Sequence, residues 1–449
     1  MHIDIPGHVT QILRSLNRAG YEAYVVGGCV RDSILNRTPS DWDITTSALP
    51  MEVKAVFKRT VDTGIEHGTV TVLSGGSAVE VTTYRIDGKY EDGRHPKQVT
   101  FTPSLEEDLK RRDFTINAMA YNDEEGLVDL FDGTGDLERG MIRAVGDPVM
   151  RFTEDALRMM RAVRFAGQLG FDIDEETLKA IEKLHENLRL ISPERIQTEL
   201  VKLVTGMYPD RMRQMYKTGL TAVFLPEFDT AMETQQNTPH HYLSVGEHTM
   251  RGMELAPSDK VIRLTMLFHD LGKPGAKTTD ENGRDHFHGH PQISAMIAKR
   301  RLKELRFDNA TSDDVAILTE YHDIRIRPEE KNVRRVLAKL GRRRFEMLLL
   351  IQKADILAQS DYLRKEKLSD LSAVENIFSE ITQKGDCISI KELAIDGNDL
   401  MELGFVKGPA LGKELSSLLD MVLDDPGLND KHRLLEIAKE DLAKIEQIS

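Results

Sequence analysis

The stretch that decides the fold of this chain reads Val25-Val26-Gly27-Gly28-Cys29-Val30-Arg31-Asp32, and Asp41-Trp42-Asp43 follows nine residues later. The residues from Tyr21 to Val26 are β-branched and aromatic, which favours a strand. Two glycines after a strand let the backbone turn tightly and leave its N–H groups open to a ligand. The sequence therefore predicts a turn at Gly28 that cradles the phosphates of a triphosphate.

The two aspartates after this turn predict a metal site. Asp41 and Asp43 are two residues apart, so in an extended segment both carboxylates project from the same face of a sheet. Adjacent carboxylates repel each other unless a cation lies between them, and Mg²⁺ prefers carboxylate oxygens together with substrate phosphates. The pair therefore predicts metal-dependent nucleotidyl transfer, and the alternative for each motif alone is a solvated turn.

A third carboxylate comes from a predicted β-hairpin. Two β-rich segments, 68–73 and 78–84, flank the turn Ser74-Gly75-Gly76-Ser77. Val79 and Val81 share one face of the second strand, so Glu80 lies on the other face. If that face also carries the two aspartates, Glu80 completes a triad that holds two metal ions. The alternative is an exposed strand glutamate.

Composition limits the class of protein. The chain has 449 residues, enough for two to four domains, and only two distant cysteines, Cys29 and Cys387. These cysteines form no disulfide framework or zinc pattern, and the sequence contains no signal-peptide pattern and no long apolar run. We therefore expect a cytoplasmic protein with no membrane partner.

The net charge of −14 argues against a protein that coats nucleic acid generally. A basic island in residues 325–353 nevertheless offers a candidate contact with a phosphate backbone. Solvated helix faces are the alternative interpretation of such a charge run.

Two further segments are candidates for choosing the nucleotide. In the first, Arg112 suits bidentate phosphate binding, and Asp113 or Asn117 suits a ribose hydroxyl, although an ion-paired helix start is the alternative. The second segment, 154–165, is predicted to be helical, so that Asp155 and Arg158 are neighbours three residues apart.

That second pair suits two of the four bases. Cytosine and adenine each present an amino donor beside a ring-nitrogen acceptor, which matches the carboxylate of Asp155 and the guanidinium of Arg158. Uracil and guanine would leave both side chains unsatisfied, and that mismatch discriminates against them. Arg161 and Arg164 continue the same helical stripe. The alternative is a surface salt bridge between Asp155 and Arg158.

These motifs, together with Ser192-Pro193-Glu194-Arg195-Ile196, occur in the order found in class II tRNA nucleotidyltransferases, the CCA-adding enzymes. The chain resembles this family, which shares its catalytic head with bacterial poly(A) polymerases, over about its first two hundred residues. The resemblance implies an α+β protein with a polymerase-β-like α/β head at 1–148, followed by helical neck, HD and tail regions at 149–233, 234–385 and 386–449. The tail is a possible tRNA contact.

The resemblance also implies the chemistry. Asp41, Asp43 and Glu80 would be the catalytic carboxylates, with Mg²⁺ as cofactor and with CTP, ATP and tRNA as substrates and partners. No obligate protein partner is evident. The implied nucleotide-binding residues are Gly28, Arg31, Arg112, Asp113, Asn117, Asp155, Arg158, Arg161 and Arg164.

Two alternatives stay open, a poly(A) polymerase and a non-catalytic RNA-binding scaffold. The segment 84–96 resembles the flexible loop that family members use to add the final A. The acidic C-terminal region differs from the basic tail expected of a polyadenylating relative.

The second half carries a pattern that resembles HD phosphohydrolases: His248, His269-Asp270, His290, His322 and Asp355. Imidazole and carboxylate groups are ligands for divalent transition metals, and separate helices can bring them to one ion. We predict a second metal held by His248, His269, Asp270 and Asp355, with His240, His241, His286 and His288 as nearby competitors. HD modules also exist as inactive helical scaffolds, and the sequence leaves both interpretations open.

Overall fold

The computed structural model describes residues 2–87 and 99–448, which form two compact units. The first unit is Met1–Asp229 with Lys303–Phe307, and the second is Thr230–Leu302 with Asp308–Ser449. The finer division at 148, 233 and 385 stays a prediction. Most of the segment 84–96, which resembles the loop for the final A, lies outside the described residues.

The first unit contains the mixed β-sheet expected of the head. The strands of this unit are β1 (Ala23–Val26), β2 (Asp43–Thr46), β3 (Thr60–Gly64), β4 (Thr69–Ser74), β5 (Ser77–Thr83), β6 (Arg85–Asp87), β7 (Val99–Phe101), β8 (Met119–Asn122), β9 (Gly126–Asp129), β10 (Met141–Ile142) and β11 (Asp172–Ile173). Within the described residues, the main sheet has the strand order β3-β4-β5-β2-β1-β8-β9. The α+β fold class is confirmed.

The sheet register places two of the predicted carboxylates side by side. Strands β4 and β5 form the predicted hairpin, with Ser74 opposite Ser77. Strand β5 then pairs in parallel with β2, and Asp43 stands opposite Glu80. Val79 and Val81 are buried in the core, so the alternation along β5 turns Glu80 to the exposed face.

The helices of the first unit surround this sheet and continue beyond it. They are α1 (Gly7–Arg18), α2 (Gly28–Ile34), α3 (Pro50–Val56), α4 (Leu105–Lys110), α5 (Gly133–Arg139), α6 (Pro148–Glu154), α7 (Leu157–Leu169), α8 (Glu175–Leu184), α9 (Pro193–Val204), α10 (Met212–Lys217), α11 (Leu220–Phe224) and α12 (Pro226–Glu233), which crosses the unit boundary. The strand-to-helix turn between β1 and α2 needs glycine at Gly27, where φ is +81° and an added Cβ would lie 3.2 Å from Arg112 Nη1.

The predicted continuous helix over 154–165 is wrong at its start. Helix α6 ends at Glu154, and Asp155 is extended, with φ −140° and ψ 102°. Helix α7 begins only at Leu157, whose backbone N–H donates to Asp155 Oδ1 at 3.0 Å. An aspartate that caps the following backbone competes with helix continuation, which explains the break.

The second unit is almost entirely helical. Its elements are α13 (Val245–Leu255), α14 (Lys260–Phe268), α15 (Lys273–Ala276), β12 (Thr278–Thr279), β13 (Asp285–His286), α16 (His290–Glu304), α17 (Asn309–Tyr321), α18 (Glu330–Leu340), α19 (Arg342–Ala358), α20 (Arg364–Lys384), α21 (Gly397–Glu402), α22 (Pro409–Asp424) and α23 (Lys431–Ile448). Among residues 2–87 and 99–448, no helix combines the length and apolar character needed to span a membrane.

Several arginines of the basic island, residues 325–353, form hydrogen bonds and ion pairs within this unit. Arg334 is buried and donates to the backbone oxygen of Leu423 at 2.8 Å and to Asp386 at 3.1 Å. Arg343 and Arg344 both donate to Asp314, at 2.6 and 2.7 Å. These arginines therefore connect helices within the unit, whereas Arg325 stays 90% exposed in its side chain.

Candidate active site

The head site is built around Asp43, the first residue of β2. Asp41 precedes it by two residues, and Glu80 is its neighbour on β5. Partial burial, together with the negative charges of Asp41 and Glu80, raises the pKa of Asp43 to about 6, while Arg112 opposes this shift. Three mutually repelling carboxylates with only oxygen donors form a site that fits Mg²⁺.

Arg112 is anchored beside this site by a buried acid. The carboxylate of Asp108 accepts hydrogen bonds from Arg111 at 2.7 and 3.0 Å, from Arg112 at 3.3 Å and from Thr45 at 3.0 Å. Burial opposes ionisation of Asp108, but Arg111 and Arg112 outweigh it and lower its pKa. Arg112 Nε is buried and has no hydrogen-bond partner among the described residues, so this guanidinium keeps a donor for a ligand.

Four predicted nucleotide-binding residues form a chain of hydrogen bonds. Arg31 Nη1 donates to Asn117 Oδ1 at 2.8 Å, and Asn117 Nδ2 donates to Asp113 Oδ1 at 3.2 Å. Asp113 Oδ2 in turn accepts from Arg161 Nε at 2.8 Å. Burial would raise the pKa of Asp113, but Arg161 outweighs it and holds that pKa well below its usual range. The chain links the Gly27 turn to α7, and a ribose contact by Asp113 or Asn117 stays a prediction.

Phe165 packs against three arginines that were predicted to bind the nucleotide, and the sequence alone did not indicate this packing role. The guanidinium carbons of Arg31, Arg161 and Arg164 lie 5.0, 5.4 and 3.5 Å from its ring centroid. Arg164 is only 5% exposed, and its Nε donates to the buried Glu199 at 2.8 Å. The structure therefore supports a packing role for Arg164, and its direct contact with the nucleotide stays a prediction.

Asp155 and Arg158 each have their own partner rather than one another. Asp155 accepts two hydrogen bonds from Arg195, at 3.2 and 2.7 Å. Arg158 Nη1 donates to Glu154 at 2.8 Å, and its Nη2 donates to the backbone oxygen of Arg111 at 2.9 Å. The surface salt bridge between Asp155 and Arg158 is therefore not the arrangement found. Arg195 was part of a recognised motif, but no local signal connected it to a residue 40 positions earlier.

The second unit contains a histidine-aspartate cluster, which we define as His248, His269, Asp270, His290, His322 and Asp355. Two buried groups of three possible ligands share Asp270: one with His248 and His269, the other with His290 and His322. Within each group the ligand atoms lie within 4.8 Å of one another. Asp355 adjoins the first group, with its Oδ1 2.8 Å from His248 Nε2. The predicted set of metal ligands thus lacked two residues, His290 and His322, that the structure brings to Asp270.

The histidine rings are oriented as metal ligands usually are. The Nδ1–H groups of His269, His290 and His322 donate to backbone oxygens three residues earlier, at 2.7 to 2.8 Å. These bonds leave each Nε2 directed at Asp270, at 3.2, 3.3 and 3.6 Å from its carboxylate oxygens.

The centre of this cluster is electrostatically unusual. Both carboxylate oxygens of Asp270 are buried, and Lys273 Nζ lies 2.7 Å from Oδ2 as its ion-pair partner. Burial opposes its ionisation, but His269 and Lys273 outweigh it and hold the pKa of Asp270 well below its usual range. A buried carboxylate surrounded by imidazoles fits a divalent transition metal, with Lys273 as a competing cation at Oδ2.

The competing histidines lie outside the two groups. Burial and the nearby Lys273 lower the pKa of His241 to about 2, so this ring is neutral. His286 faces Asp280 at 3.0 Å, and His240 Nδ1 lies 3.1 Å from Lys367 Nζ.

Three known protein families match segments of this chain, two of them toward its N-terminus and one toward its C-terminus. Residues 23–143 match the family described as "Poly A polymerase head domain", and residues 170–232 match "Probable RNA and SrmB- binding site of polymerase A". Residues 290–438 match a family described as tRNA nucleotidyltransferase domain 2.

Three similar proteins are all named CCA-adding enzymes. The chain is 38% identical over 428 residues to a CCA-adding enzyme of Lactobacillus delbrueckii subsp. bulgaricus, covering 95% of each chain. It is 56% identical over 218 residues to a CCA-adding enzyme of Levilactobacillus brevis, a match that spans 48% of this chain and 55% of that relative. The solved Bacillus stearothermophilus CCA-adding enzyme in complex with CTP is 31% identical, with a TM-score of 0.75 over 98% of both chains.

Proposed function

The chain belongs to the family of CCA-adding enzymes, and we propose that it adds C, C and A to tRNA 3′ ends from CTP and ATP without a nucleic-acid template. The observation that carries this proposal is the parallel register of Asp43 with Glu80, beside Asp41 and next to a glycine turn backed by Arg112. A cytoplasmic location is part of this proposal, and its substrates, tRNA and nucleoside triphosphates, support it.

Nucleotidyl transfer in this family depends on a divalent metal, generally Mg²⁺, and Asp41, Asp43 and Glu80 would hold it here. The metal supplies activation of the attacking hydroxyl and stabilisation of the leaving pyrophosphate. In the reaction the 3′ hydroxyl of tRNA loses its proton to solvent and its oxygen bonds to the α-phosphorus. The bond from that phosphorus to the oxygen shared with the β-phosphate breaks, and pyrophosphate leaves with that oxygen. The Gly27 turn and Arg112 position the triphosphate by hydrogen bonds and charge.

Base selection is assigned to Asp155 and Arg158. The carboxylate of Asp155 accepts from the amino group of cytosine or adenine, and the guanidinium of Arg158 donates to the adjacent ring nitrogen. Their present partners, Arg195 and Glu154, hold the two side chains in fixed positions. Because these fixed protein groups select the base directly, the enzyme needs no nucleic-acid template.

We also propose a second activity, phosphoester hydrolysis at the histidine-aspartate cluster with a divalent transition metal. Two buried groups of three potential ligands that share Asp270 support it. The metal would supply a more acidic water and charge stabilisation at phosphorus. Water oxygen bonds to phosphorus, one phosphorus–oxygen ester bond breaks, and the released alkoxide takes the proton.

The experiment that tests the main proposal uses the purified full chain, tRNA that lacks its CCA end, and each labelled nucleotide in turn. We expect incorporation of C from CTP and then of one A from ATP, with none from UTP or GTP. Long A tracts would identify a poly(A) polymerase instead. No incorporation of any nucleotide would leave the scaffold interpretation.

A further inference from the structure

Two threonine hydroxyls continue the row of head carboxylates across the main sheet. The strand register places Thr71 of β4 directly opposite Glu80 of β5, which in turn stands opposite Asp43 of β2. Side chains directly opposite each other on neighbouring strands point to the same face of a sheet. Thr71 Oγ1 lies 2.8 Å from Thr63 Oγ1 of β3. We call Thr63 and Thr71 the threonine pair, and it lies beside the carboxylates on their own face of the sheet.

The strand order separates two sides of Asp43. The Gly27 turn follows β1, which is the neighbour of β2 on one side. The threonine pair lies on the other side, beyond β5. In transfer to phosphorus the attacking and leaving oxygens stand roughly in line, on opposite sides of the phosphorus. Because the triphosphate is assigned to the Gly27 turn, the attacking hydroxyl has to arrive from the side of the threonine pair.

The threonine pair keeps hydrogen-bonding capacity for a ligand. One hydroxyl donates to the other, and either oxygen can be the donor. Each threonine hydroxyl has one proton and two lone pairs, so among the described residues the second proton of the pair has no acceptor. A group that both donates and accepts matches a ribose 2′-hydroxyl, the group by which a protein distinguishes RNA from DNA. The pair is also uncharged, so it does not compete with the carboxylates for a cation.

A cross-strand pair of threonines also stabilises a sheet, and a neighbouring pair shows what that role alone looks like. Thr69 Oγ1 lies 3.0 Å from Thr82 Oγ1, between the same strands β4 and β5. Thr82 stands opposite Thr45 rather than a head carboxylate. Only the pair of Thr63 and Thr71 therefore combines spare hydrogen-bonding capacity with a position beside Glu80.

We propose that the threonine pair binds the 2′-hydroxyl of the terminal ribose of the RNA acceptor, with Thr71 making the contact and Thr63 fixing the direction of its hydroxyl. The inference deepens the proposed nucleotide addition and rests on it. The 3′-hydroxyl of the same ribose then lies at Asp43 and Glu80, in position to attack the α-phosphorus. A terminal deoxyribose loses the contact, and Thr71 is only 7% exposed, so little water replaces it. The pair thus makes the enzyme specific for an acceptor that ends in RNA.

The test compares two acceptors: tRNA that lacks its CCA end, and the same tRNA with a 2′-deoxynucleotide as its last residue. Both keep the 3′-hydroxyl, so both can be extended with labelled CTP. Wild type should have a kcat/KM about tenfold higher for the ribose end. Thr71→Val removes the hydroxyl and keeps the β-branched shape. It should lower kcat/KM about tenfold for the ribose end and stay within about twofold of wild type for the deoxyribose end.

Two further variants separate this role from sheet stability. Thr69→Val is the matched control, because it removes a paired hydroxyl from the same strand, and it should leave the preference for the ribose end unchanged. Thr63→Val changes an exposed residue, so it tests the inference even if Thr71→Val does not fold. It should narrow the preference about threefold, since the hydroxyl of Thr71 then loses its fixed direction. KM for CTP should stay within about twofold in all variants, because the nucleotide lies on the other side of Asp43.

Binding gives a readout that does not depend on turnover. Fluorescence anisotropy of a short acceptor-stem RNA with the full chain should give a Kd about threefold lower for the ribose end in wild type, and equal Kd values for both ends in Thr71→Val. Equal losses of turnover on both acceptors in Thr71→Val would assign the pair to sheet stability and overturn the inference. A wild type that extends both ends equally well would also overturn it. If wild type extends neither acceptor, the proposed nucleotide addition fails, and equal binding of the two ends would then overturn the inference separately.

Discussion

The head site and the histidine-aspartate cluster both concentrate carboxylates, but in opposite surroundings. At the head, Asp41, Asp43 and Glu80 lie at the open face of a sheet, and partial burial together with the charges of Asp41 and Glu80 raises the pKa of Asp43 to about 6. In the cluster, Asp270 is 1% exposed, and imidazoles and Lys273 hold its pKa well below its usual range. An open site of oxygen donors leaves part of a metal's coordination to substrate phosphates, whereas a closed nitrogen-and-oxygen site supplies most ligands from the protein.

The two sites also differ in how the chain builds them. The head carboxylates lie within 41–80 and meet through one strand pairing. The cluster draws on residues from 248 to 355, carried by several separate helices. The first site should therefore be sensitive to local changes and the second to packing.

The largest expected effect comes from a substitution in the head site, which should abolish nucleotide addition and leave hydrolysis at the histidine-aspartate cluster unchanged. Asp43→Asn should reduce transfer of both C and A on the order of a thousandfold, because the carboxylate acts on the reacting phosphate and hydroxyl. Binding of tRNA, measured by filter retention, should stay nearly intact, as should hydrolysis at the cluster. The control is Glu66→Gln, an exposed acid of the same unit. Near-normal turnover of Asp43→Asn would refute the catalytic assignment.

The reciprocal change is made in the cluster. His269→Ala should lower metal-stimulated hydrolysis of 2′,3′-cyclic phosphates about a hundredfold, since it removes a ligand atom beside Asp270. CCA addition should remain within a few-fold of wild type, and exposed His432→Ala should change neither activity. If a well-folded His269→Ala lost both activities equally, the cluster would be a structural support rather than a second site.

A smaller effect is expected at the base-reading pair. Arg195→Ala removes the bidentate partner of Asp155, so that the carboxylate loses its fixed orientation. Misincorporation of UTP or GTP relative to CTP and ATP should rise about tenfold, and Arg195→Lys should restore only part of the discrimination. The exposed Arg189→Ala serves as the control. Unchanged discrimination in Arg195→Ala would place nucleotide selection elsewhere.

The smallest effect concerns stability. The pKa of Asp43 is raised, so the stability that its protonated form contributes is complete below its ordinary pKa near 3.8 and is lost as pH rises through about 6. In EDTA at pH 8, Asp43→Asn should raise the midpoint of thermal unfolding, because the amide removes the repulsion from Asp41 and Glu80. The rise should be only about 1–3 °C, since solvent screens part of that repulsion. The difference should vanish near pH 4, as calorimetry would reveal. A lower midpoint at pH 8 would contradict the proposed repulsion.

The cluster should respond to pH in the opposite sense. The pKa of Asp270 is lowered, so its contribution to stability is present above its ordinary value and is lost as pH falls. This contrast follows from whether a carboxylate faces other carboxylates or cations.

Local pattern alone predicted the strand and turn geometry around Asp43 and Glu80. The alternation of period two turned Glu80 away from Val79 and Val81, and a Gly-Gly turn connected β4 to β5 as expected. The glycine turn at Gly27 and the α+β fold class were likewise predicted, because turn chemistry and strand alternation act over a few residues.

Tertiary structure decided what depends on distant partners. The break at Asp155 and its pairing with Arg195, 40 residues later, could not be read from helical periodicity, which favoured one continuous helix. The same limit kept His290 and His322 out of the predicted ligand set, although the structure brings both to Asp270. Which of many histidines reach one buried carboxylate depends on how helices pack, and packing depends on contacts between residues far apart in the chain.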